Sequence, residues 1–240
     1  MPDWLSNWSP QLIDQCLNFM HQLLPQHCLL CTADATQRPV CDACFNHLPV
    51  LTAVRCPQCA TPTPRGEICG ACLAEPPAFD TVTATYQYAW PLTTLIQQFK
   101  YSGNLALAHV LAESMAVAER APVDLIVPMP LGPARLRERG FNQALELARF
   151  AGTQTRIPII VGACRRVDDR PPQASLPWRE RAKNIRGAFV YNADLSGKKI
   201  AVVDDVMTTG ATMHEIARTL RKAGAVEVHG WVVARTLKKN

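Results

Sequence analysis

Eight cysteines between residues 28 and 72 fall into four C-x-x-C pairs, and the last two pairs repeat the first two at an offset of 28 residues. Cys28, Cys31, Cys41 and Cys44 form C-x2-C-x9-C-x2-C, and Cys56, Cys59, Cys69 and Cys72 form it again. Two residues between thiolates let both sulfurs of a knuckle reach one tetrahedral ion at about 2.3 Å, and two knuckles close the coordination shell. A shell with no open position suits a structural zinc, not a catalytic one. Disulfides and redox-active pairs are the competing uses, and the doubled four-cysteine spacing favours metal over both. Sequential and interleaved pairings of the knuckles are both possible; the sequential sets are favoured.

The neighbouring residues agree with a metal-dependent fold. Residues 25–77 are rich in Pro, Thr and Ala and poor in large apolar side chains. So short a stretch buries little core, and zinc contributing about 10–16 kcal/mol per site replaces what is missing. The expected organisation is an amphipathic helix in 1–24, a double ribbon over 25–77 and a larger domain over 78–240. In the first segment Leu12, Ile13, Cys16, Leu17, Phe19, Met20, Leu23 and Leu24 recur at helical spacing, with Ser9 as N-cap. His21, His27 and His47 are expected on the surface, and Cys16 and Cys164 as ordinary buried thiols. Such ribbons serve either as docking modules for nucleic acid or protein, or as folded spacers.

The net charge of +5 is unevenly spread. Residues 120–186 hold thirteen Arg and Lys against six Asp and Glu, a net of +7, and the remainder is net −2. Local basic charge points to an anionic ligand there. The N-terminus is polar, with Asp3 where a targeting signal would be basic. No run of about 18 apolar residues occurs, so no membrane span is expected and the location is read as cytoplasmic.

From Phe79 onward strands and helices alternate. Strands are expected over 81–89, 124–127, 199–203 and 226–234, with helices over 92–101, 104–119, 142–154 and 210–223. Alternation of this kind implies an α/β fold, a parallel sheet flanked by helices, with ligands at the carboxyl ends of the strands. One segment specifies the ligand. Ile200-Ala201-Val202-Val203 runs into Asp204-Asp205, then Val206-Met207, then Thr208-Thr209-Gly210-Ala211-Thr212 at a helix start. Adjacent carboxylates at the end of a buried strand are costly unless they meet hydroxyls or a cation. Small residues, hydroxyl donors and backbone N–H groups at a helix N-terminus cradle a phosphate. Together they describe a ribose 5-phosphate site. Neither G-x-G-x-x-G nor a Walker loop is present.

Ile200–Thr212 resembles the phosphoribosyl-diphosphate motif of type I phosphoribosyltransferases. The resemblance implies that Asp204 and Asp205, the candidate catalytic pair, engage the ribose 2- and 3-hydroxyls, with Mg2+ bridging to the diphosphate. Thr208, Thr209, Gly210, Ala211 and Thr212 would hold the 5-phosphate. Pro128, Met129 and Pro130 would begin the diphosphate-facing loop, which Arg135, Arg137 and Arg139 follow. Thr208 stands where hypoxanthine and guanine transferases carry an aspartate base, which sets this chain apart from purine salvage of that kind.

Three features extend the resemblance to the ComF family, whose members act in DNA uptake: the cysteine ribbon, the run Arg135-Leu136-Arg137-Glu138-Arg139-Gly140-Phe141-Asn142-Gln143-Ala144, and the stretch around Gln173–Leu176, Arg179, Arg181, Asn184 and Arg186–Phe189. In related transferases the region equivalent to 165–187 is a loop that closes over the site. Phe141 or Trp178 could stack on a base, or either could be core. The expected partner is phosphoribosyl diphosphate or a related nucleotide. The implied function is a phosphoribosyltransferase-like protein in uptake or utilisation of external DNA. The alternative is a non-catalytic accessory protein that handles single-stranded DNA, or meets the uptake machinery, through ribbon and basic region.

Metal analysis of the purified chain is expected to give two zinc ions per molecule. Fewer than one would exclude the ribbon assignment.

Overall fold

The computed structural model describes residues 27–35, 38–116, 121–167 and 185–237. The expected helix of 10–24 and Trp178 lie outside them. The described elements are α1 (Asp42–Asn46), α2 (Gly70–Ala74), β1 (Thr81–Gln87), α3 (Leu92–Tyr101), α4 (Ala106–Ala116), β2 (Leu125–Pro128), α5 (Pro133–Arg139), α6 (Gln143–Thr155), β3 (Cys164–Arg166), β4 (Phe189–Tyr191), β5 (Lys199–Met207), α7 (Ala211–Lys222) and β6 (Glu227–Arg235). The chain forms two compact units, Met1–His47 and Leu48–Asn240. The division therefore falls between the two cysteine modules.

The 28-residue repeat is a repeat of backbone geometry. An antiparallel bridge joins His27 to Asp34 in the first module and Arg55 to Pro62 in the second. The Cys28 amide donates to Ala33 O at 2.7 Å, and the Cys56 amide to Thr61 O at 2.7 Å. Thr32 (φ 62°) and Ala60 (φ 58°) both adopt the left-handed conformation that turns the first knuckle. Cys41 and Cys69 each stand at the N-cap of a five-residue helix, α1 and α2.

In the second unit four strands form one parallel sheet in the order β1-β6-β5-β2. β6 and β5 are central, and Val228–Arg235 and Ile200–Val203 are buried, as a sheet covered on both faces requires. α4 packs on α6, α6 on β2 and β5, and α7 on β6 and β4. α3 contributes Leu92, Leu95, Ile96 and Phe99 to the core, all completely buried. β3 and β4 pair antiparallel as a separate two-stranded ribbon. Ile126 and Ile159 add a parallel bridge beyond β2.

The second cysteine module is part of this unit's core. Val50 bridges Tyr86 of β1, and the Leu51 amide donates to Thr85 O at 2.9 Å. Arg55 Nη1 donates to Ala84 O at 2.8 Å. Cys56, Cys59, Ala60 and Cys72 belong to one buried cluster with Phe79, Val82, Met207 and Val232.

The sheet follows the expected alternation, with one difference that shapes the site. β5 does not stop at Val203 but runs on to Met207. β2 leaves it at the Pro128–Val203 pair, whereas β6 stays paired as far as Met207–Arg235. The residues Asp204–Met207 are thus a strand extension with one edge open. The strand expected over 199–203 is therefore longer, because backbone pairing on a single side is enough to hold Asp204–Met207 extended.

Candidate functional site

Because β5 is extended through its acidic pair, the two carboxylates face opposite sides of the sheet. Asp204 is half-buried and Asp205 is buried. Asp204 turns its carboxylate back so that Oδ1 accepts the Asp205 amide at 2.9 Å. Asp204, Val206, Met207, Thr208, Gly210, Thr212 and Met213 line a cavity of about 40 Å3. That is far below the roughly 300–1,000 Å3 of clefts that enclose a whole drug-sized ligand, a small cup at the strand end.

The loop between β5 and α7 is shaped by Gly210, the N-cap of α7, at φ 86°. A Cβ there would lie 2.7 Å from the Met207 methyl and in a backbone conformation that L residues resist. Thr209 Oγ1 accepts the Ala211 amide at 3.3 Å and tightens the turn. The first N–H groups of α7 have no intrahelical partners and stand at the helix end that favours an anion. Of the residues expected to hold the 5-phosphate, Thr208, Gly210 and Thr212 line the cup, while Thr209 and Ala211 complete its turn.

Asp205 is held from the other side by Lys100, in the last turn of α3. Lys100 Nζ forms an ion pair with Asp205 Oδ2, both side chains largely withdrawn from solvent. Burial alone would lower the Lys100 pKa, but the charge and hydrogen bond of Asp205, with Asp204 behind it, raise it instead. Asp204 is held well above the usual carboxylate range, first by its desolvation and then by Asp205. Lys100 was not foreseen, though a signal existed. It stands four residues after Ile96, on the apolar face of α3, where a lysine needs a buried partner.

The loop expected to face the diphosphate begins where β2 ends. The Met129 amide donates to Val203 O at 2.9 Å, and Asn142 Nδ2 donates to Met129 O at 3.1 Å. Asn142 also N-caps α6, accepting the Ala144 amide at 3.0 Å. The Gly140-Phe141-Asn142 run therefore clamps Pro128, Met129 and Pro130 to the sheet. Phe141, half-buried, packs its ring 5.6 Å from that of buried Phe99. Arg135 and Arg139 lie on α5 and do not line the cup. Arg139 covers the ring of exposed Tyr101 at 5.0 Å. Buried Glu215 of α7 accepts the Gly187 amide at 2.8 Å and pairs with Arg218. It thereby anchors one flank of the stretch 168–184, which lies outside the described residues.

Each cysteine set gathers its four sulfurs within 4.8 Å of one another, Cys28/Cys31/Cys41/Cys44 and Cys56/Cys59/Cys69/Cys72. The pairing is sequential. Cys31 and Cys41 sulfurs are 3.7 Å apart, Cys59 and Cys69 sulfurs 3.5 Å. Disulfide sulfurs would sit at about 2.05 Å, whereas four bonds of about 2.3 Å in a tetrahedron separate sulfurs by about 3.8 Å. Electrostatics lead to the same conclusion. Burial raises Cys28, but backbone donors at Cys41, Leu30 and Cys31 bring it down to about 6. In the same cluster Cys44 is pushed up to about 12, first by its contact with Cys31. Cys59 is opposed by burial yet lowered to about 7 by Thr61, while burial and Cys59 raise Cys72. One thiolate forms easily and then obstructs its neighbours, and a dication removes that conflict. Both sets fit structural zinc. Cys164 is a buried free thiol.

A parallel sheet with a small cup and a Thr-Gly turn after its acidic strand, in a chain with two four-cysteine clusters, defines a phosphoribosyltransferase-type fold with a double zinc ribbon. Sequence comparison agrees: residues 19–73 match the double zinc ribbon domain family, and residues 179–240 match the phosphoribosyl transferase domain family. Competence protein F of Haemophilus influenzae is 33% identical over 170 residues, 66% of this chain and 74% of that protein. The DNA utilization protein YhgH of Salmonella typhi is 34% identical over 175 residues, 68% of this chain and 75% of that protein. The chain belongs to the family of competence protein F and YhgH, the ComF family. Among solved structures, glutamine phosphoribosylpyrophosphate amidotransferase from B. subtilis aligns over 56% of this chain and 30% of its own, with 20% identity and a TM-score of 0.39.

Two outcomes follow from the buried pair. Lys100→Met leaves Asp205 unpaired in the interior and is expected to lower unfolding free energy on the order of 3 kcal/mol in denaturant titration. Adding Asp205→Leu should recover most of that loss. Asp204, with its pKa raised in the fold, contributes stability below its unfolded pKa and loses it as pH rises through the folded value. Asp204→Asn is therefore expected to raise the melting temperature of the ligand-free protein, more at pH 8 than at pH 5.

Proposed function

We propose that the C-terminal unit binds phosphoribosyl diphosphate, or a nucleotide related to it, and that the protein serves the uptake or utilisation of external DNA. The observation that carries this reading is the cup in which Asp204 faces Thr208, Gly210 and Thr212. An ionised carboxylate accepts hydrogen bonds from the ribose hydroxyls, and the loop's hydroxyls and amides take the 5-phosphate. Pro128, Met129 and Pro130, clamped by Asn142, face the diphosphate, with Arg135 and Arg139 supplying countercharge. Mg2+ suits this arrangement, since it needs only one or two carboxylates beside the phosphates it neutralises. Asp204 supplies one; Asp205, paired with Lys100, tunes it from behind. The part in DNA handling rests on the names of the relatives, and a cytoplasmic location goes with it. Among the described residues no helix is long and apolar enough to cross a membrane.

A second reading is favoured by one feature outside the cup. Tyr101 is 66% exposed under the Arg139 guanidinium, next to the arginines of α5. A ring beside a cationic helix is how single-stranded nucleic acid is gripped without sequence preference.

Titration calorimetry of the zinc-loaded protein separates the readings. Phosphoribosyl diphosphate with Mg2+ is expected to bind, and Asp204→Asn to weaken it roughly ten- to hundredfold, the worth of hydrogen bonds to a charged group. No heat from the sugar, with a single-stranded oligonucleotide binding in a steeply salt-dependent way, would leave the second reading standing alone. Diphosphate release on adding a panel of nitrogenous bases would identify a transferase.

A further inference from the structure

Arg235 ends the central strand β6, where a side chain ordinarily emerges toward solvent, yet it is only 7% exposed. Its guanidinium has two occupied sides. On one, Nε donates to the carbonyl of Cys59 at 2.9 Å and Nη2 to Thr61 Oγ1 at 3.3 Å. On the other, Nη1 donates to Met207 O at 3.1 Å, to Thr208 O, and to Thr236 O at 2.8 Å. Cys59 is a ligand position of the second cluster, and Thr61 Oγ1 lies 3.2 Å from its sulfur. Met207 and Thr208 line the phosphate cup. One rigid, planar group with five donors thus spans a zinc knuckle and the first residues of the phosphate loop.

We propose that Arg235 couples the second cysteine cluster to the phosphate loop, so that zinc held by Cys56, Cys59, Cys69 and Cys72 orders the loop and sets its affinity for a sugar phosphate. The part of this that concerns affinity rests on the binding reading above; the part that concerns order does not. Physically, a zinc with four thiolates carries two net negative charges, and a buried guanidinium beside it is their counter-charge. Without the metal the knuckle loses the bonds that fix the Cys59 carbonyl. The guanidinium then keeps its loop carbonyls but loses its anionic side, and Met207, whose methyl stands against Gly210, loses its support. Coupling of this kind is reciprocal, so a ligand in the cup must also tighten the second zinc. Arg235 is a positioning residue: it acts through the backbone of the loop. The first cluster lies in the other compact unit and serves as internal control.

Hydrogen exchange of the full zinc-loaded chain, followed by mass spectrometry over residues 207–212, tests the ordering without any ligand. Cys69→Ser with Cys72→Ser is expected to speed exchange there by about fivefold or more, and Cys41→Ser with Cys44→Ser to leave it unchanged. Arg235→Met should speed it equally while two zinc ions per chain remain. Protection in 200–206 and 228–233 reports that the sheet is intact. Where a variant loses it, Arg235→Lys, whose single head cannot reach both sides, is read in its place. Unchanged loop exchange in the Arg235 variant with both zincs bound overturns the proposal. Transfer of zinc to a chromophoric chelator tests reciprocity. Phosphoribosyl diphosphate with Mg2+ should slow the second cluster's phase about fivefold or more in the natural chain and not in Arg235→Met, an effect that a merely structural arginine would not produce. Binding without any such slowing also overturns the coupling. Absence of binding together with faster loop exchange refutes only the ligand, and the ordering by zinc stands.

Discussion

Two carboxylates at the rim of a buried parallel strand would repel each other and resist leaving water, and the arrangement of this site is a response to that cost. Lys100 reaches across from α3 and neutralises Asp205, which is buried. Asp204, facing the opposite side, is left as the acidic group of the cup lined by Thr208, Gly210 and Thr212. The pair is one motif in the chain and two functions in space. One member is a structural anion matched by an interior cation; the other is held in a poorly solvated setting that favours a ligand able to stabilise its charge.

The open edge of β5 follows from the same geometry. β2 ends at Pro128 and β6 continues, so Asp204–Met207 are supported on one side and accessible on the other. The loops on either flank are then fixed by single side chains. Asn142 caps α6 and holds the Met129 carbonyl; Arg235 holds the carbonyls of Met207 and Thr208. In both cases a polar side chain adds hydrogen bonds to carbonyls at or just beyond a strand's last paired residue, which helps an irregular segment beside a buried sheet keep one conformation.

The cysteine modules show how one local structure meets two environments. Tetrahedral ligation imposes the same knuckle, with Thr32 and Ala60 in the left-handed region and Cys41 and Cys69 capping short helices. Apolar neighbours separate them. Cys56, Cys59 and Cys72 are buried with Phe79 and Met207, whereas Cys31 is exposed. The second module has become part of the sheet's core and, through the Cys59 carbonyl and Arg235, of the neighbourhood of the loop between β5 and α7.

Much was legible in the chain because it depends on short-range spacing. Cysteine intervals dictate which two sulfurs form a knuckle, while the tertiary structure decided that the knuckles pair sequentially. The alternation of apolar segments dictates a parallel α/β sheet. A run of four apolar residues, two acids and a Thr-Gly turn dictates a strand end, a tight turn and a helix start. The contributions of Lys100, Glu215 and Arg235 were not legible. Each pairs with a partner far away in the sequence, 105 residues off for Lys100 and 176 for Arg235 and Cys59. A charged residue in a helix or strand carries no local mark of the partner it will meet. Which acid faces the cup, where the compact units divide and what a buried guanidinium joins were decided only when strands β5 and β6 came together, because burial gives a charge its cost and its partner at the same moment.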